Sequence, residues 1–353
     1  MDWRYRATVF PYFNPQSAIA NPQSKALIGG LMLDLLKERI LITGGNGFLG
    51  RALAEHLRGL GCKNLFTPTL SECNLLERAQ VARMFATWQP SIVIHAAARV
   101  GGIGANRANP GLFFYENTLM GLNLIEEARL YGKLTKFVGL GTVCSYPKHA
   151  KVPFREDELF DGYPEETNAP YGFAKRAQLV MLQSYRQQYG LNGIFLLPVN
   201  LYGPGDNFDP ASSHVIPAMI RKFDEAARTG AKSVNLWGDG RPTREFLYVH
   251  DAARGITLAT AQYEKPEPVN LGSGMEISMY DLAVTLAKLT GFTGEIIWDK
   301  SMPNGQPRRR LDTSRAKMEF GFSAQTTFEE GLAKSLAWWQ AQRANTSRAA
   351  GTY

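Results

Sequence analysis

A short apolar strand that runs straight into a glycine turn and out into a helix restricts this chain more than any other feature. Residues 39–43 read RILIT, the turn Gly44-Gly45-Asn46-Gly47-Phe48-Leu49-Gly50 follows without a gap, and an amphipathic pattern continues over residues 48–60. Three glycines at this spacing have separate tasks. Gly44 permits the tight turn, Gly47 lets the backbone approach a pyrophosphate, and Gly50 lets the helix pack on the sheet. The helix N-terminus then meets the anion with unpaired N–H groups and the positive end of its dipole. Glycine-rich turns are common; the strand before and the helix after separate this one from a purely structural bend. A dinucleotide fits the unit, held along Gly44, Asn46, Gly47, Phe48, Leu49 and Gly50.

The same rhythm continues downstream. Short apolar stretches at 65–67, 91–95 (SIVIH), 136–140 and 193–197 alternate with helical patterns at 77–88, 110–131 and 171–189. Such alternation implies right-handed crossovers and a parallel sheet covered on both faces. The expected fold is therefore α/β, a Rossmann-type doubly wound parallel sheet. Past Pro198 the pattern loosens into WGDGRPTREFLYV, NLGSGMEIS and a last helix near 327–342. This divides the chain into a dinucleotide-binding domain, mainly 39–200, and a smaller, loop-rich C-terminal substrate lobe, mainly 201–343. The chain is expected to cross back to the first domain, and 344–353 form a tail. Residues 1–38 carry aromatics and prolines, with no acid between Asp2 and Asp34 and no apolar core of a secretory signal. They read as a loose arm, or as an early start with Met32 as the true one.

Charge needs a partner: 39 Lys+Arg against 32 Asp+Glu leave a formal +7. The only dense run is Arg308-Arg309-Arg310, with Arg241 and Arg244 in another loop. Neither the long basic clusters nor the modules of nucleic-acid binders occur, so no nucleic-acid partner is expected. Ordinary surface charge and basic loops around a phosphorylated small molecule account for the excess. No stretch of about 18 apolar residues marks a membrane span, so no membrane partner is expected. Cys62, Cys73 and Cys144 cannot all pair and show no CxxC spacing. This argues against a disulfide framework or a metal site and suits a reducing, cytoplasmic location.

Catalytic chemistry is suggested by Tyr171 and Lys175, four residues apart at the start of a helix and so on one face. A neighbouring ammonium favours the phenolate and lowers a phenol's pKa from about 10. Thr142, just past the strand ending at Leu140, places a hydroxyl where it can hold a substrate oxygen. The second strand should carry the group that tells NAD from NADP. It ends Leu65-Phe66-Thr67-Pro68-Thr69-Leu70-Ser71, with neither an acid nor an arginine, so both cofactors stay open here.

Together, the glycine turn, the hydroxyl after the fourth strand and YxxxK opening a helix resemble the extended short-chain dehydrogenase/reductases. A closer likeness is to the GDP-L-fucose synthases, through RVGGIGAN (99–106), LGTVCSYPK (140–148), TNAPYGFAK (167–175), PVNLYGPGDNF (198–208), SHVIPAMIRK (213–222), WGDGRPTREF (237–246) and PNGQPR (303–308). This resemblance runs from about residue 39 to 342. It implies a dual epimerase–reductase that turns GDP-4-keto-6-deoxy-D-mannose into GDP-L-fucose with NADPH. Inversion beside a keto group needs a base and an acid on opposite faces, and the likeness gives those roles to Cys144 and His214. Thr142, Tyr171 and Lys175 complete the catalytic set. Leu140, Lys175, Pro198, Asn200, Leu201 and His214 are implied at the cofactor, and Lys222, Trp237, Arg244 and Asn304 at the nucleotide-sugar. A homodimer through helices 110–131 and 171–189 is expected, as in related reductases.

Several positions depart from the family pattern. Thr142 and Val143 stand where two serines are usual, Asn304 where an aspartate is usual, and Lys222 where arginine is common. Asn46 and the Pro68–Leu70 stretch lack the arginines some members use for NADP, and 155–166 (REDELFDGYPEE) is unusually acidic. A reductase acting on another GDP- or NDP-4-keto sugar, or an NAD-retaining NDP-sugar epimerase, remains the alternative reading.

Overall fold

Strand after strand of β-branched and aliphatic residues enters one parallel sheet and disappears between helices. The computed structural model describes residues 33–302 and 304–350. Along the first half run β1 (Ile40–Thr43), α1 (Phe48–Gly59), β2 (Leu65–Phe66), α2 (Arg78–Trp88), β3 (Ile92–His95), α3 (Ile103–Ala108), α4 (Pro110–Tyr131), β4 (Lys136–Leu140), α5 (Ala169–Tyr189) and β5 (Gly193–Pro198). There follow β6 (Asn200–Tyr202), α6 (Val215–Thr229), β7 (Ser233–Trp237), β8 (Thr243–Arg244), β9 (Phe246–Tyr248), α7 (Val249–Gln262), β10 (Val269–Leu271), β11 (Ile277–Ser278), α8 (Met279–Thr290), β12 (Glu295–Asp299), β13 (Arg308–Arg309), α9 (Ser314–Phe320) and α10 (Phe328–Ala350).

The main sheet has the order β10-β5-β4-β3-β1-β2, and every pairing in it is parallel. The doubly wound α/β class read from the sequence is what the structure shows. Strands β1, β3, β4 and β5 are buried along their whole length, as a sheet covered on both faces requires. Helices α2, α4 and α5 pack in sequence with one another, while α1 packs on α7 and α7 on α9. The strand order reverses between β1 and β3, so a crevice opens at their carboxyl ends, where α/β sheets bind ligands.

Proline stands in the first turn of α4 and of α5, where its missing N–H costs nothing, and Gly132 and Gly190 close these helices in the left-handed conformation. Helix α5 starts two residues before the position that spacing suggested, which makes Tyr171 its third residue. Residues 33–38, left outside the fold by pattern, form turns that bury Leu35. Helix α10 carries on past 343 into the expected tail. The expectation for the arm before residue 33 lies outside the described residues.

A second core gathers the remaining elements. Phe223, Ile220, Leu236, Leu282, Leu286, Phe246 and Leu332 meet at its centre, drawn from α6, β7, α8, β9 and α10. Around it lie the pairs β7–β12 and β6–β9 and the three-stranded sheet β11-β8-β13. Each fully buried side chain of this size contributes about 1.5–3 kcal/mol through removal of apolar surface from water. Strand β10 and helix α7, though late in the chain, belong to the first sheet and its cover.

Candidate active site

The glycine turn sits at the crevice. Gly44 has φ +69°, and a Cβ there would lie 2.6 Å from the Ala97 nitrogen, so neither a side chain nor another conformation fits. Gly47 caps α1 without a side chain, and the first turn of α1 carries no acid to compete with an anion. A Cβ on Gly50 would stand 2.1 Å from the Gly44 carbonyl oxygen and 2.6 Å from the Gly45 Cα. The third glycine thus lets the helix press close against its own turn at the end of β1. Asn46 is exposed and its amide donates to the Thr67 carbonyl at 3.4 Å, tying the turn to the loop after β2. Phe48 and Leu49 begin α1, half-buried.

At the carboxyl end of β4, Leu140 is buried and Thr142 opens a single 3-10 turn, its hydroxyl oxygen accepting from the Cys144 N–H at 3.1 Å. That turn abuts α5: Ser145 donates to the Gly172 carbonyl at 3.2 Å, and a Cβ on Gly172 would touch the Cys144 carbonyl. Thr142, Cys144 and Tyr171 are therefore brought to one place. Lys175 is 2% exposed and its Nζ lies 5.9 Å from the centre of the Tyr171 ring. It makes no hydrogen bond or ion pair among the described residues.

The electrostatics here run against the sequence expectation. Burial, and then the nearby Cys144, push the Tyr171 phenol above its ordinary range. Burial lowers Lys175 to about 8. An ammonium stacked over the ring face rather than bonded to the hydroxyl does little for the phenolate, and itself lacks an acceptor. A buried polar group without a partner is costly, so this position calls for an acceptor such as a ribose hydroxyl. The cradle formed by Gly44, Gly47 and the uncapped α1 terminus suits the diphosphate of the same molecule, so the residues present fit a dinucleotide. Of the other positions implied at the cofactor, Pro198 is buried at the end of β5. Leu201 is half-buried, and Asn200 donates to the Glu245 carbonyl at 3.0 Å, which commits its amide to the scaffold.

His214 caps α6 in an open part of the cleft. Solvent reaches the ring, yet the surrounding protein lowers its proton affinity by desolvation. The loop before it meets the 99–106 loop, where Gly102 N–H donates to the Ser212 carbonyl. Among the described residues no hydrogen bond joins His214 to Cys144.

Of the positions implied at the nucleotide-sugar, Trp237 at the end of β7 is 60% exposed, which excludes a core-packing role. Lys222 reaches the same strand, donating to the Asn235 carbonyl at 2.8 Å. Asn304 Oδ1 accepts from the Asp239 N–H at 2.9 Å. Burial and then Arg309 lower Arg244 to about 10, while Cys144 works the other way. Arg309, missed by sequence reading, donates from Nη1 to Cys144 Sγ at 3.5 Å. Its signal was present in the run Arg308–Arg310. In a strand alternate residues face opposite ways, so Arg308 pairs with Glu276 while Arg309 turns to the cysteine.

Among the described residues no cluster of His, Cys, Asp and Glu could hold a metal, and no helix is long and apolar enough to cross a membrane. The chain matches the NAD dependent epimerase/dehydratase family over residues 40–272. It is 40% identical over 312 residues to GDP-L-fucose synthase of Escherichia coli (strain K12), covering 86% of this chain and 97% of that one. Its fold is similar to a solved GDP-L-fucose synthetase from Naegleria fowleri bound to NADP (TM-score 0.81, 27% identity, 88% of this chain and 94% of that one). A GDP-6-OMe-4-keto-L-xylo-heptose reductase from C. jejuni is similar as well (TM-score 0.81, 30% identity, 86% and 98%).

Proposed function

The chain belongs to the NAD dependent epimerase/dehydratase family and, within it, to the GDP-L-fucose synthases, and we propose that it is an NADP-dependent epimerase–reductase converting GDP-4-keto-6-deoxy-D-mannose to GDP-L-fucose. The observation that carries this reading is the junction of the Thr142–Ser145 turn with the start of α5, which brings Thr142, Cys144 and Tyr171 together, with Lys175 over the Tyr171 ring and Arg309 on the Cys144 sulfur. When bound, the nicotinamide supplies a hydride. Gly44, Asn46, Gly47, Phe48, Leu49, Gly50, Leu140, Lys175, Pro198, Asn200, Leu201 and His214 would border that cofactor, and Lys222, Trp237, Arg244 and Asn304 the GDP-sugar. Residues 39–200 would then serve mainly the dinucleotide and 201–343 mainly the sugar nucleotide.

Each side chain has a defined task in this reading. A carbonyl at C4 acidifies the C–H bonds at C3 and C5. The Cys144 thiolate takes the proton, the C–H electron pair moves into the enolate, and His214 returns a proton on the other face. Desolvation lowers the proton affinity of His214 in the free chain, and the negative diphosphate of the substrate would raise it and favour the charged, acidic form. Thr142 holds the C4 oxygen with its free O–H, and Tyr171 gives that oxygen its proton. Lys175 gains the acceptor it lacks from ribose hydroxyls and then steadies Tyr171.

The reading extends to a cytoplasmic homodimer. Leu112 and Tyr115 are exposed on α4, the half-buried Leu119 and Leu122 continue their helical spacing, and Val180 is exposed on the adjacent α5. A second copy would cover this stripe.

Incubation with GDP-4-keto-6-deoxy-D-mannose and either NADPH or NADH in deuterated water tests the proposal in one product analysis. One reduced cofactor should be consumed per GDP-L-fucose formed, with deuterium at C3 and C5 and faster turnover with NADPH. Absence of net cofactor oxidation, together with stoichiometric NAD released on denaturation, would establish the NAD-retaining epimerase instead. Reduction without deuterium at either carbon would point to a different 4-keto sugar, the reading that Val143 and Asn304 favour.

A further inference from the structure

Arg309 has no catalytic task in the reading above, yet the residue is 9% exposed and each of its guanidinium nitrogens donates a hydrogen bond. Nη1 donates to Cys144 Sγ at 3.5 Å, while Nε and Nη2 both donate to Gln306 Oε1, at 3.2 and 3.1 Å. Gln306 in turn donates to the Lys148 carbonyl at 2.8 Å, so cation and cysteine are fastened to the same loop. Strand β13 sets Arg309 in register with Arg244 of β8. Neither arginine pairs with a carboxylate among the described residues, whereas the neighbouring Arg308 holds Glu276. With Arg309 buried, Arg244 half-buried in register beside it, and neither paired with an acid among the described residues, the Cys144 sulfur is the one anion-forming group hydrogen-bonded to Arg309.

We propose that Arg309 is a positioning residue that holds the Cys144 sulfur as a thiolate and fixes its direction. This rests on the reading of Cys144 as the epimerisation base. A base that removes a carbon-bound proton must be both ionised and aimed. A cation in hydrogen-bond contact favours the anion, and the two bonds to Gln306 remove the freedom of the guanidinium. Arginine suits the position better than lysine, because it does not surrender a proton to the thiolate it faces. When the sulfur gains the substrate proton, Arg309 remains charged and the thiol is released from its ion pair, which also helps the proton leave again.

Iodoacetamide labelling of the full chain tests the pairing without recourse to turnover. The label on Cys144 is read by peptide mass spectrometry at pH 7 and pH 9.5, with C144S as the blank. R309Q should slow labelling about tenfold at pH 7 and close to within about twofold of wild type at pH 9.5, where alkali ionises the thiol regardless of its neighbour. R309K keeps a charge but loses the guanidinium's two bonds to Gln306, so its labelling at pH 7 should fall between wild type and R309Q and match wild type within about twofold at pH 9.5. Equal rates at pH 7, or the same slowing at both pH values, would show a merely structural arginine and overturn the proposal. Should R309Q fail to fold, Q306A keeps the charge but frees it. It should slow labelling at pH 7 and not at pH 9.5, and an unchanged rate would again overturn the proposal. If C144S still exchanges C3 and C5 protons, the base assignment fails separately from the labelling result.

Discussion

Lys175 illustrates how a buried ammonium is held at the expense of the free fold. Its spacing from Tyr171 was legible in the sequence, because i and i+4 share a helix face. Its electrostatic state was not, since that depends on what α5 is pressed against. Burial lowers its pKa from 10.5 to about 8. Below pH 8 the folded and unfolded chains both carry the proton, and the full penalty of a buried charge applies. Between about 8 and 10.5 the folded chain has shed the proton while the unfolded chain keeps it, so stability rises with pH across that window and levels off above it. The span corresponds to roughly 3 kcal/mol at most. K175M should therefore raise the melting temperature of the ligand-free protein at pH 7 and flatten its rise between pH 8 and 10.5, while abolishing reduction. Thermal melts of both proteins at pH 7 and 10 check this; a lower melting temperature for K175M at pH 7 would mean that Lys175 stabilises the free fold.

At the scale of elements, the strand–turn–helix unit separates structural from ligand-facing glycines. Elements with a long periodic pattern were readable to the residue, as α4 and β4 show. Helix α3 was missed because six residues in a glycine-rich stretch carry too short a period to detect. The start of α5 was misplaced because Ala169 and Pro170 precede its apolar face, although proline is at home in a first turn. Within the turn, all three glycines looked alike in sequence, yet their surroundings differ. A Cβ on Gly50 would meet backbone atoms that cannot retreat, whereas a Cβ on Gly47, in ordinary extended conformation, meets only the Gly44 carbonyl at 3.2 Å. G50A should thus lose about 1–3 kcal/mol or more of stability through overpacking. G47A should keep its stability within about 1 kcal/mol and lose at least tenfold in dinucleotide affinity, if Gly47 is the glycine that the diphosphate approaches, as its place in the turn implies. Urea unfolding and calorimetric titration with NADPH distinguish the two; undiminished affinity in G47A would remove the diphosphate from that glycine.

The whole molecule adds what no local pattern contains. Arg309 meets Cys144 across 165 residues, Gln306 meets Lys148 across 158, and Asn304 meets Asp239 across 65. Side chains so far apart in sequence share no period, so only the sheet β11-β8-β13, folded back over the cysteine turn, reveals them. The outer surface, by contrast, was partly legible. Helix α4 spans 22 residues, about 33 Å, and exposes Leu112 and Tyr115 near its start and Leu130 at its far end, with the half-buried Leu119 and Leu122 at helical spacing between them. Exposed apolar patches of this extent mark association surfaces on soluble chains. Because α4 and α5 lie side by side, a two-fold axis would pack the stripe of one copy on that of another as a four-helix interface. Val180 on α5 is 47% exposed, so V180E should cost the monomer well under 1 kcal/mol while placing a charge in a desolvated interface. Sedimentation equilibrium at micromolar concentration should show a dimer for the native chain and a monomer of unchanged circular dichroism for V180E. Since Tyr171 and Lys175 ride on α5, the monomer should also turn over more slowly. A native chain that sediments as a monomer would leave the stripe without a second copy to cover it.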